Sequence, residues 1–461
     1  MDGYAALDDL LAPSGRGPAP PDEVMITGAD PVLGTNFLLG TAGAAVLAAI
    51  GLAASDLWEL RTGRRQNVSI DTRSAAMALR CDRYQRLDDG GAKEQWGGIS
   101  GFHQGGDGRW VQLHCNFPHH RAGVLKILGC EDDRAAVSKA LAERTIPEFE
   151  QECYEAGMCV AMVRSAEEWA AHPHSVAVDG LPLYEIVKIG DSDPEPLSEA
   201  ARPLSGTRVL DLTRVIAGPM CGRTLAEHSA DVLRISGEHL PFFQDLVMDT
   251  GHGKRSAFVD LRKRAGGERL RELVRGADVF SQGYRPGGIQ DRGFGPAELA
   301  ELRPGIVYVT LSAYGHEGPW RDKRGFDSLV QCCTGIVDEQ SAGEDVPRHM
   351  PAQALDYVTG YLGAFGAMHA LARRAQEGGS WMVRVSLCQT AHWIKSLGRV
   401  DGPDARGLHN PGPDDVPELL MATDSPFGRI SHLAPVLGLS ETPPHWDRPP
   451  VPLGTHDAVW G

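Results

Sequence analysis

The sequence predicts an α/β protein with a doubly wound parallel sheet and a second, smaller α/β domain. From residue 204 onward, short and almost wholly apolar segments alternate with short helical segments. Central strands of a parallel sheet are apolar on both faces, because helices cover both. A separate group of helices around one strand, before residue 180, predicts the smaller domain.

The alternation gives the elements of the larger, Rossmann-like sheet in order. Strands are predicted at 208–212, 231–235, 256–260, 278–281 and 305–312. A turn is predicted at 217–219 with a helix after it to about 229, and further helices are predicted at 267–275 and at 296–302. Two further helices, each followed by a strand, are rich in alanine and glycine. They predict helix–strand pairs at 36–59 with 66–70, and from 356 with 381–387.

Composition predicts where the segments of the chain begin and end. Clusters of Gly, Pro, Ser and Asp mark loops and linkers, since these residues favour turns over helices and strands. The predicted segments are a loose N-terminal tail (1–30), a degenerate copy of the helix and strand that begin at 356 (31–100), a small domain (101–188), a linker (189–203), the sheet domain (204–400) and a Pro-rich C-terminal segment that wraps over the surface (401–461).

One internal repeat supports the degenerate copy. The segment DYVTGYLG begins at Asp356, and NFLLGTAG begins at Asn36, so that the two glycines of each segment align at an offset of 320 residues. An asparagine keeps the shape of an aspartate but does not ionise. We therefore expect the first copy to lack the carboxylate that the second copy carries.

Bulk properties exclude several classes of function. The 461 residues carry a formal net charge of -16, which argues against a nucleic-acid surface and against anionic membranes. Nine cysteines without a CxxC pair, and a start without a secretory pattern, predict reduced thiols in a cytoplasmic protein. The apolar run at 37–54 is shorter than the roughly 20 residues of a membrane span, so we expect a buried helix.

Six stretches in the second half together resemble CoA-transferase family III, the group of formyl-CoA transferase, carnitine CoA-transferase and α-methylacyl-CoA racemase. They lie in family order at 204–235, 253–261, 277–287, 303–320, 324–331 and 356–360. Residues 36–180 resemble the later part of the same pattern, and 439–454 resemble its closing segment. The resemblance therefore implies a rearranged or partly duplicated order of segments.

The resemblance implies that Asp356 is a covalent nucleophile that passes through aspartyl anhydride and aspartyl-CoA thioester intermediates. A helix that begins just after Asp356 is expected to favour its ionised form, and Gly360 and Gly363 are expected to let backbone approach the substrate closely. The alternative is that Asp356 only caps the helix, since aspartate is a favoured N-cap residue.

The resemblance also implies residues that bind coenzyme A. The implied contacts are backbone groups of Val215, Ile216 and Ala217, the strand residues Val259, Asp260 and Leu261, the turn Gly283 and Tyr284, and the basic residues Arg262, Arg292 and Arg324. Cationic side chains are expected at these last positions because the phosphates of CoA are anionic. A Gly-rich loop at 96–108, with Gly97 and Gly98, is expected to shield the intermediates from water.

Racemases of the family carry a Gly-His-Asp step, and this chain has Gly325, Phe326 and Asp327 there. Phenylalanine transfers no proton, which favours CoA transfer over racemisation. The histidines at 119, 120, 172 and 174 do not form a metal-ligand pattern, so no metal is expected. The resemblance implies an acyl-CoA donor, a carboxylic acid acceptor and an interlocked homodimer. The alternatives left open are a racemase or isomerase, a hydrolase-like side activity, and a catalytically degenerate CoA-binding protein.

Overall fold

The computed structural model describes residues 1–20, 22–88, 90, 97–285 and 287–461. The helices within these residues are α1 (Gly3–Leu11), α2 (Leu39–Thr62), α3 (Thr72–Ala78), α4 (Pro118–Leu128), α5 (Arg134–Leu141), α6 (Ile146–Glu155), α7 (Ala166–Ala170), α8 (Pro173–Val178), α9 (Ala217–Glu227), α10 (Gln244–Asp249), α11 (Arg264–Arg275), α12 (Pro296–Leu302), α13 (Asp327–Cys333), α14 (Ile336–Gln340), α15 (Ala354–Glu377) and α16 (Leu387–Ser396).

The strands are β1 (Val24–Thr27), β2 (Val68–Asp71), β3 (Arg86–Leu87), β4 (Gly101–Gln104), β5 (Trp110–Leu113), β6 (Val160–Met162), β7 (Tyr184–Gly190), β8 (Arg208–Leu212), β9 (Asp231–Ser236), β10 (Lys254–Phe258), β11 (Val279–Gln282), β12 (Val307–Ser312), β13 (Ser380–Ser386), β14 (Leu420–Ser425), β15 (Gly428–Leu433) and β16 (Gly438–Leu439). The elements predicted from 208 onward are present, and their ends lie within a few residues of the predicted ones.

The larger sheet has seven strands in the order β10-β9-β8-β11-β12-β13-β7. All neighbouring pairs are parallel except β13 and β7, which are antiparallel at one edge. The predicted doubly wound parallel sheet is therefore confirmed. The strand order reverses between β8 and β11, and ligands of such sheets bind in the crevice outside the carboxyl ends of the strands at that point.

The larger sheet is apolar because each face packs on a separate core. Val209 of β8 belongs to the core under α9 and α15, whereas the adjacent Leu210 belongs to the core under α11. Successive side chains of a strand point to opposite faces, so both residues of such a pair are buried. Burial on both faces is the physical reason why these strands are apolar almost throughout.

The smaller domain is an antiparallel sheet of β4, β5 and β6 packed against α4, α5 and α6. Its core is formed by residues such as Val111, Leu113 and Val137. Cys159 and Ala161 pack against Leu329 of α13, which attaches this domain to the large-sheet half of the chain. A cleft lies between the smaller domain and the large-sheet half of the chain.

The N-terminal segment differs from the loose tail that composition predicted for residues 1–30. Helix α1 and strand β1 lie within it, and Leu7, Leu10 and Leu11 are fully buried against α2 and its neighbours. Asp2 caps α1 by accepting the backbone N–H of Ala5 at 2.9 Å. The prediction failed because the Pro- and Gly-rich stretch that follows α1 dominated the composition.

The C-terminal segment is largely irregular, as its proline content predicts, but it contributes strands as well. The hairpin of β14 and β15 pairs with β3, and β16 pairs with β2. Near the end of the chain, the backbone N–H of His456 donates to the carbonyl of Ser256 on the edge strand β10 at 2.8 Å.

Helix α2 is long and apolar enough to cross a membrane. Nearly all of its residues are buried inside the protein, where it packs against α15. A helix that is apolar all round is expected in such a central position.

The internal repeat is present, but its register differs from the one predicted. Helices α2 and α15 each have 24 residues, and both their first and their last residues are 315 positions apart. Gly51 and Gly366, also 315 apart, lie against Val68 and Val383, the same position of the following strands. The predicted offset of 320 is wrong, because two glycines in an Ala/Gly-rich helix match in more than one register.

A carboxylate fixes this register. Asp30 accepts the backbone N–H groups of Gly40 at 3.0 Å and Thr41 at 2.8 Å, at the start of α2. Asp327 accepts those of Leu355 and Asp356 in the same way at the start of α15. Thr41, rather than Asn36, is thus the counterpart of Asp356. The first copy still lacks a carboxylate there.

Candidate active site

A single cleft of about 1280 Å³ brings together many of the residues that the sequence indicates. It lies between the smaller domain, the loop that follows β8 and the first turn of α15. Its lining includes five predicted site residues: Gly97, Gly98, Val215, Ile216 and Asp356. The loop predicted at 96–108 starts at Trp96, which lies outside the described residues.

Asp356 is 7% exposed and lies in the first turn of α15. The helix begins at Ala354 with Gln353 as its N-cap, so the capping alternative for Asp356 does not hold. Capping is performed by the carboxylate of Asp327, which accepts the backbone N–H groups of Leu355 at 2.9 Å and Asp356 at 3.1 Å. No described residue donates a hydrogen bond to the carboxylate of Asp356.

Burial dominates the electrostatics of Asp356. It raises the pKa of this carboxyl well above its usual range, and the charges of Asp327 and Asp82 raise it further. Burial likewise raises the pKa of Asp327 to about 7, although the N–H groups that it accepts work in the opposite direction. The ionised Asp356 that the helix dipole was expected to favour is therefore disfavoured, because desolvation outweighs the dipole.

Asp82 contacts the first turn of α15 through the side chain of Tyr357. The hydroxyl of Tyr357 donates to the carboxylate of Asp82 at 2.9 Å, and the backbone N–H of Asp82 donates to the same hydroxyl at 3.2 Å. This pairing holds the segment after α3 against the residue next to Asp356. The sequence contains no motif that singles out Asp82.

Gly360 and Gly363 face α9 rather than the cleft. A Cβ atom at Gly360 would lie 2.4 Å from the carbonyl oxygen of Ala217 and 2.7 Å from the Cβ of Met220. The close approach that glycine allows is therefore between two helices, and the predicted approach to substrate is wrong. The contact at Gly360 places the first turn of α9 beside Asp356.

Phe326 lines the cleft and stacks on the ring of His114, with 3.7 Å between the ring centroids and an angle of 3° between the rings. Burial lowers the pKa of His114 to about 4. A neutral ring stacked on an apolar one is the state that this environment favours.

The loop after β8 has a strained residue where the resemblance implies backbone contacts. Val215 has a φ of 73°, which a β-branched residue rarely adopts. Such strain is found at ligand-binding turns more often than elsewhere. Ala217 begins α9. The backbone N–H groups of this first helical turn have no partner within the helix, and they carry the positive end of its dipole.

The remaining predicted CoA contacts lie outside the lining of the large cleft. Arg262 pairs with its neighbour Asp260 at 2.9 and 3.0 Å, and Arg292 donates to the carbonyl of Leu261 at 2.7 Å. Val259 is buried, Gly283 is exposed, and Tyr284 lines a second hollow of about 360 Å³. Arg324 lies 3.3 Å from the ring of His120. Their role in binding CoA stays a prediction.

The cleft also contains residues for which the sequence offered no signal. Besides Asp82, these are Arg80, Arg83 and Gln331. Gln331 donates to the carboxylate of Asp327 and thus completes the capping group. Among the described residues, no group of three or more His, Cys, Asp or Glu side chains is arranged to hold a metal ion.

Comparison with known proteins agrees with the resemblance. Residues 204–400 match CoA-transferase family III. An acetyl-coenzyme A transferase of Hypoxylon pulicicidum, nodX, is 33% identical over 256 residues, which are 52% of this chain and 43% of that protein. An acyl-CoA transferase of Gibberella moniliformis is 29% identical over 412 residues, which are 76% of this chain and 71% of that protein.

A crystal structure of Rv3272 from Mycobacterium tuberculosis is similar at 28% identity, with a TM-score of 0.40, over 43% of this chain and 58% of that one. The match covers 43% of nodX and 60% of the probable fatty acyl-CoA transferase Rv3272. The chain therefore spans about half the length of these relatives. Over residues 204–400 the chain is thus similar to CoA-transferase family III and to relatives named as CoA-transferases.

Proposed function

We propose that the protein is an enzyme that moves coenzyme A from an acyl-CoA donor to a carboxylic acid acceptor, with Asp356 as the nucleophile. The observation that carries the proposal is the placement of Asp356, a buried carboxyl without a hydrogen-bond donor among the described residues, in the wall of the large cleft. A group held this way is free to react with a ligand. The named relatives, among them a succinyl-CoA–D-citramalate CoA-transferase of Chloroflexus aurantiacus, support the reaction class.

The first half of the reaction forms and reopens an anhydride. The carboxylate of Asp356 attacks the thioester carbonyl, a mixed anhydride forms, and the CoA thiolate leaves. The thiolate then attacks the aspartyl carbonyl, which releases the donor acid and leaves an aspartyl-CoA thioester. The second half repeats these steps in reverse with the acceptor: its carboxylate displaces the thiolate to form a new anhydride. The thiolate then attacks the acceptor's carbonyl, which yields the new acyl-CoA and frees Asp356.

The surroundings of Asp356 fit these steps. Each attack on a carbonyl develops negative charge on its oxygen, and the N–H groups at the start of α9 are placed to stabilise it. The raised pKa of Asp356 makes its carboxylate more basic, and hence more nucleophilic once it has lost its proton. Burial in the cleft also keeps water from the anhydride, which water would hydrolyse.

Phe326 supports transfer over racemisation. It occupies the cleft position next to Asp327, where a racemase of this family would carry histidine. We further propose a cytoplasmic enzyme that acts as a homodimer on small molecules and not on membranes or nucleic acids. The acidic net charge and the family resemblance are the support for this.

The covalent step is tested by trapping. The protein is incubated with a panel of acyl-CoAs, treated with hydroxylamine or borohydride, and digested for peptide mass spectrometry. Label is expected on the peptide that contains Asp356, absent in Asp356→Asn and retained in Asn36→Ala and Thr41→Ala. Label on another residue overturns the mechanism, and the absence of label with every acyl-CoA favours a degenerate CoA-binding protein.

A further inference from the structure

Arg80 is a buried cation that has no hydrogen-bond acceptor or carboxylate partner among the described residues. Its side chain is 6% exposed and lines the large cleft, between the end of α3 and the short turn Cys81–Tyr84. Its Nε and Nη1 atoms are shielded from solvent and have no hydrogen-bond partner. No carboxylate among the described residues lies within ion-pair distance of its guanidinium group.

Other buried arginines of the chain show what a structural role looks like. Arg61 donates to the carbonyls of Pro203, Ser198 and Ser205 at 2.6 to 2.8 Å. Arg164 forms an ion pair with Glu150, which is also buried. Buried charges are costly unless they are paired, so these partners are expected. Arg80 departs from this pattern at a wall of the cleft, where a ligand is able to supply the partner.

The position of Arg80 relative to Asp356 follows from Asp82. The carboxylate of Asp82 accepts the hydroxyl of Tyr357, the residue next to Asp356, at 2.9 Å. Arg80 precedes Asp82 by two residues, so its segment lies against the first turn of α15. The guanidinium lies over the ring of Tyr84, 5.9 Å from its centroid, but this contact provides no hydrogen-bond acceptor for Nε and Nη1.

The chemistry of the ligand follows from this position. A guanidinium group binds a carboxylate or phosphate through two parallel hydrogen bonds. The phosphates of CoA are separated from its thioester by the whole pantetheine arm, so we expect a cation in the cleft that contains Asp356 to lie by the acyl group instead. The reacting carboxylate of the acceptor uses an oxygen lone pair to attack. Hydrogen bonds from a guanidinium would occupy those lone pairs and make the carboxylate a poorer nucleophile.

We propose that Arg80 binds a second, non-reacting carboxylate, and that the preferred acids are therefore dicarboxylic acids and their mono-CoA thioesters. The inference rests on the proposed CoA transfer and names its substrate class. Burial in the cleft makes the pairing strong, since no water competes for the same donors. A monocarboxylic acyl group of equal length would leave the guanidinium unpaired and is expected to react poorly.

The test compares glutaryl-CoA with butyryl-CoA, which have acyl chains of similar length with and without a distal carboxylate. In Arg80→Met, kcat/KM for glutaryl-CoA is expected to fall by about 10² to 10³-fold, because a buried charge-assisted pair is lost. The kcat/KM for butyryl-CoA is expected to stay unchanged. Arg80→Lys is expected to retain part of the kcat/KM for glutaryl-CoA that Arg80→Met loses. The matched control is Arg86→Met, since Arg86 lines the same cleft but donates to the carbonyls of Arg83 and Gln85.

A binding measurement separates this inference from the proposed function. Calorimetry with glutarate and with butyrate is expected to show tighter binding of glutarate, lost in Arg80→Met and kept in Asp356→Asn. An equal loss for both acyl-CoAs, or weaker binding of free CoA, overturns the inference in favour of a phosphate contact. A large fall in Tm of Arg80→Met overturns it in favour of a structural role. If no acid receives CoA but glutarate binding still depends on Arg80, the proposed transfer fails and the carboxylate site stands.

Discussion

The carboxylate of Asp327 accepts the backbone N–H of Asp356 at 3.1 Å, which places two buried carboxyl groups at the first turn of α15. One carboxyl holds the helix end and the other faces the cleft. Burial raises the pKa of both carboxyls, and the charge of Asp327 raises the pKa of Asp356 further. Five predictions follow from this pair and its neighbours.

The first prediction concerns stability against pH. The folded protein keeps protons on Asp327 and Asp356 to a higher pH than the unfolded chain, whose carboxyls have a pKa near 3.8. At these two groups the folded state thus binds more protons between about pH 4 and 7, and their contribution to the free energy of unfolding falls as pH rises through that window. A pKa rise of one unit corresponds to about 1.4 kcal/mol.

The variant Asp356→Asn isolates the contribution of Asp356 to this pH dependence of stability. Asparagine removes the carboxyl whose pKa burial and the charge of Asp327 raise, so the variant is expected to lose less stability than the wild type between pH 4 and 8. Glu227, whose pKa burial raises to about 7, contributes the same slope to both proteins. Urea denaturation at several pH values measures the difference, and equal slopes would contradict the raised pKa of Asp356.

The second prediction uses the repeat as its own control. Asp327→Ala removes the acceptor of two N–H groups at α15, and Asp30→Ala removes the equivalent acceptor at α2. Each is expected to cost about 1–3 kcal/mol of unfolding free energy. Only Asp327→Ala is expected to lower kcat, because it displaces Asp356. Equal kcat values in both variants would show that Asp327 does not position the nucleophile.

The third prediction concerns the nucleophile. Asp356→Asn is expected to reduce kcat for CoA transfer at least about 10³-fold, while binding of acyl-CoA changes little, since the amide keeps the shape of the side chain. Thr41→Ala, at the equivalent position of the first copy, is expected to keep its activity. Steady-state kinetics and acyl-CoA titration measure the two effects. Substantial transfer by Asp356→Asn would exclude a covalent aspartyl intermediate.

The fourth prediction separates transfer from racemisation. In deuterated water the wild type is expected to incorporate no deuterium at the α-carbon of an acyl-CoA, because Phe326 accepts no proton. Phe326→His places a base there, stacked against His114 as Phe326 is, and is expected to introduce slow exchange. Mass spectrometry of the recovered acyl-CoA detects it. Exchange by the wild type would favour the racemase alternative.

The fifth prediction concerns the contact of α15 with α9. Gly360→Ala places a methyl group 2.4 Å from the carbonyl oxygen of Ala217 and is expected to cost about 1–3 kcal/mol and to lower activity. Gly363→Ala meets Cys221 at an ordinary 3.4 Å and is expected to be neutral or to stabilise α15. Thermal denaturation compares the two. Equal effects would show that the helices separate easily at Gly360.

The fold was largely predictable because its signals are local. Strands such as β8 and β12 are apolar on both faces, and helices such as α12 begin at a proline and end before the next strand. The N-terminal helix α1 was missed because its four buried residues stand next to a long Pro- and Gly-rich stretch. Its burial depends on α2, which lies far along the chain.

The sequence by itself determined the α/β class, the doubly wound sheet, the family resemblance and Asp356 as the residue to test. The tertiary structure was needed to find the register of the repeat, the raised pKa of Asp356 and the lack of a partner for Arg80 among the described residues. The reason is physical: periodicity and motifs are properties of neighbouring residues. Desolvation, charge pairing and hydrogen-bond acceptors are instead properties of groups, such as Asp327 and Asp82, that the fold brings together.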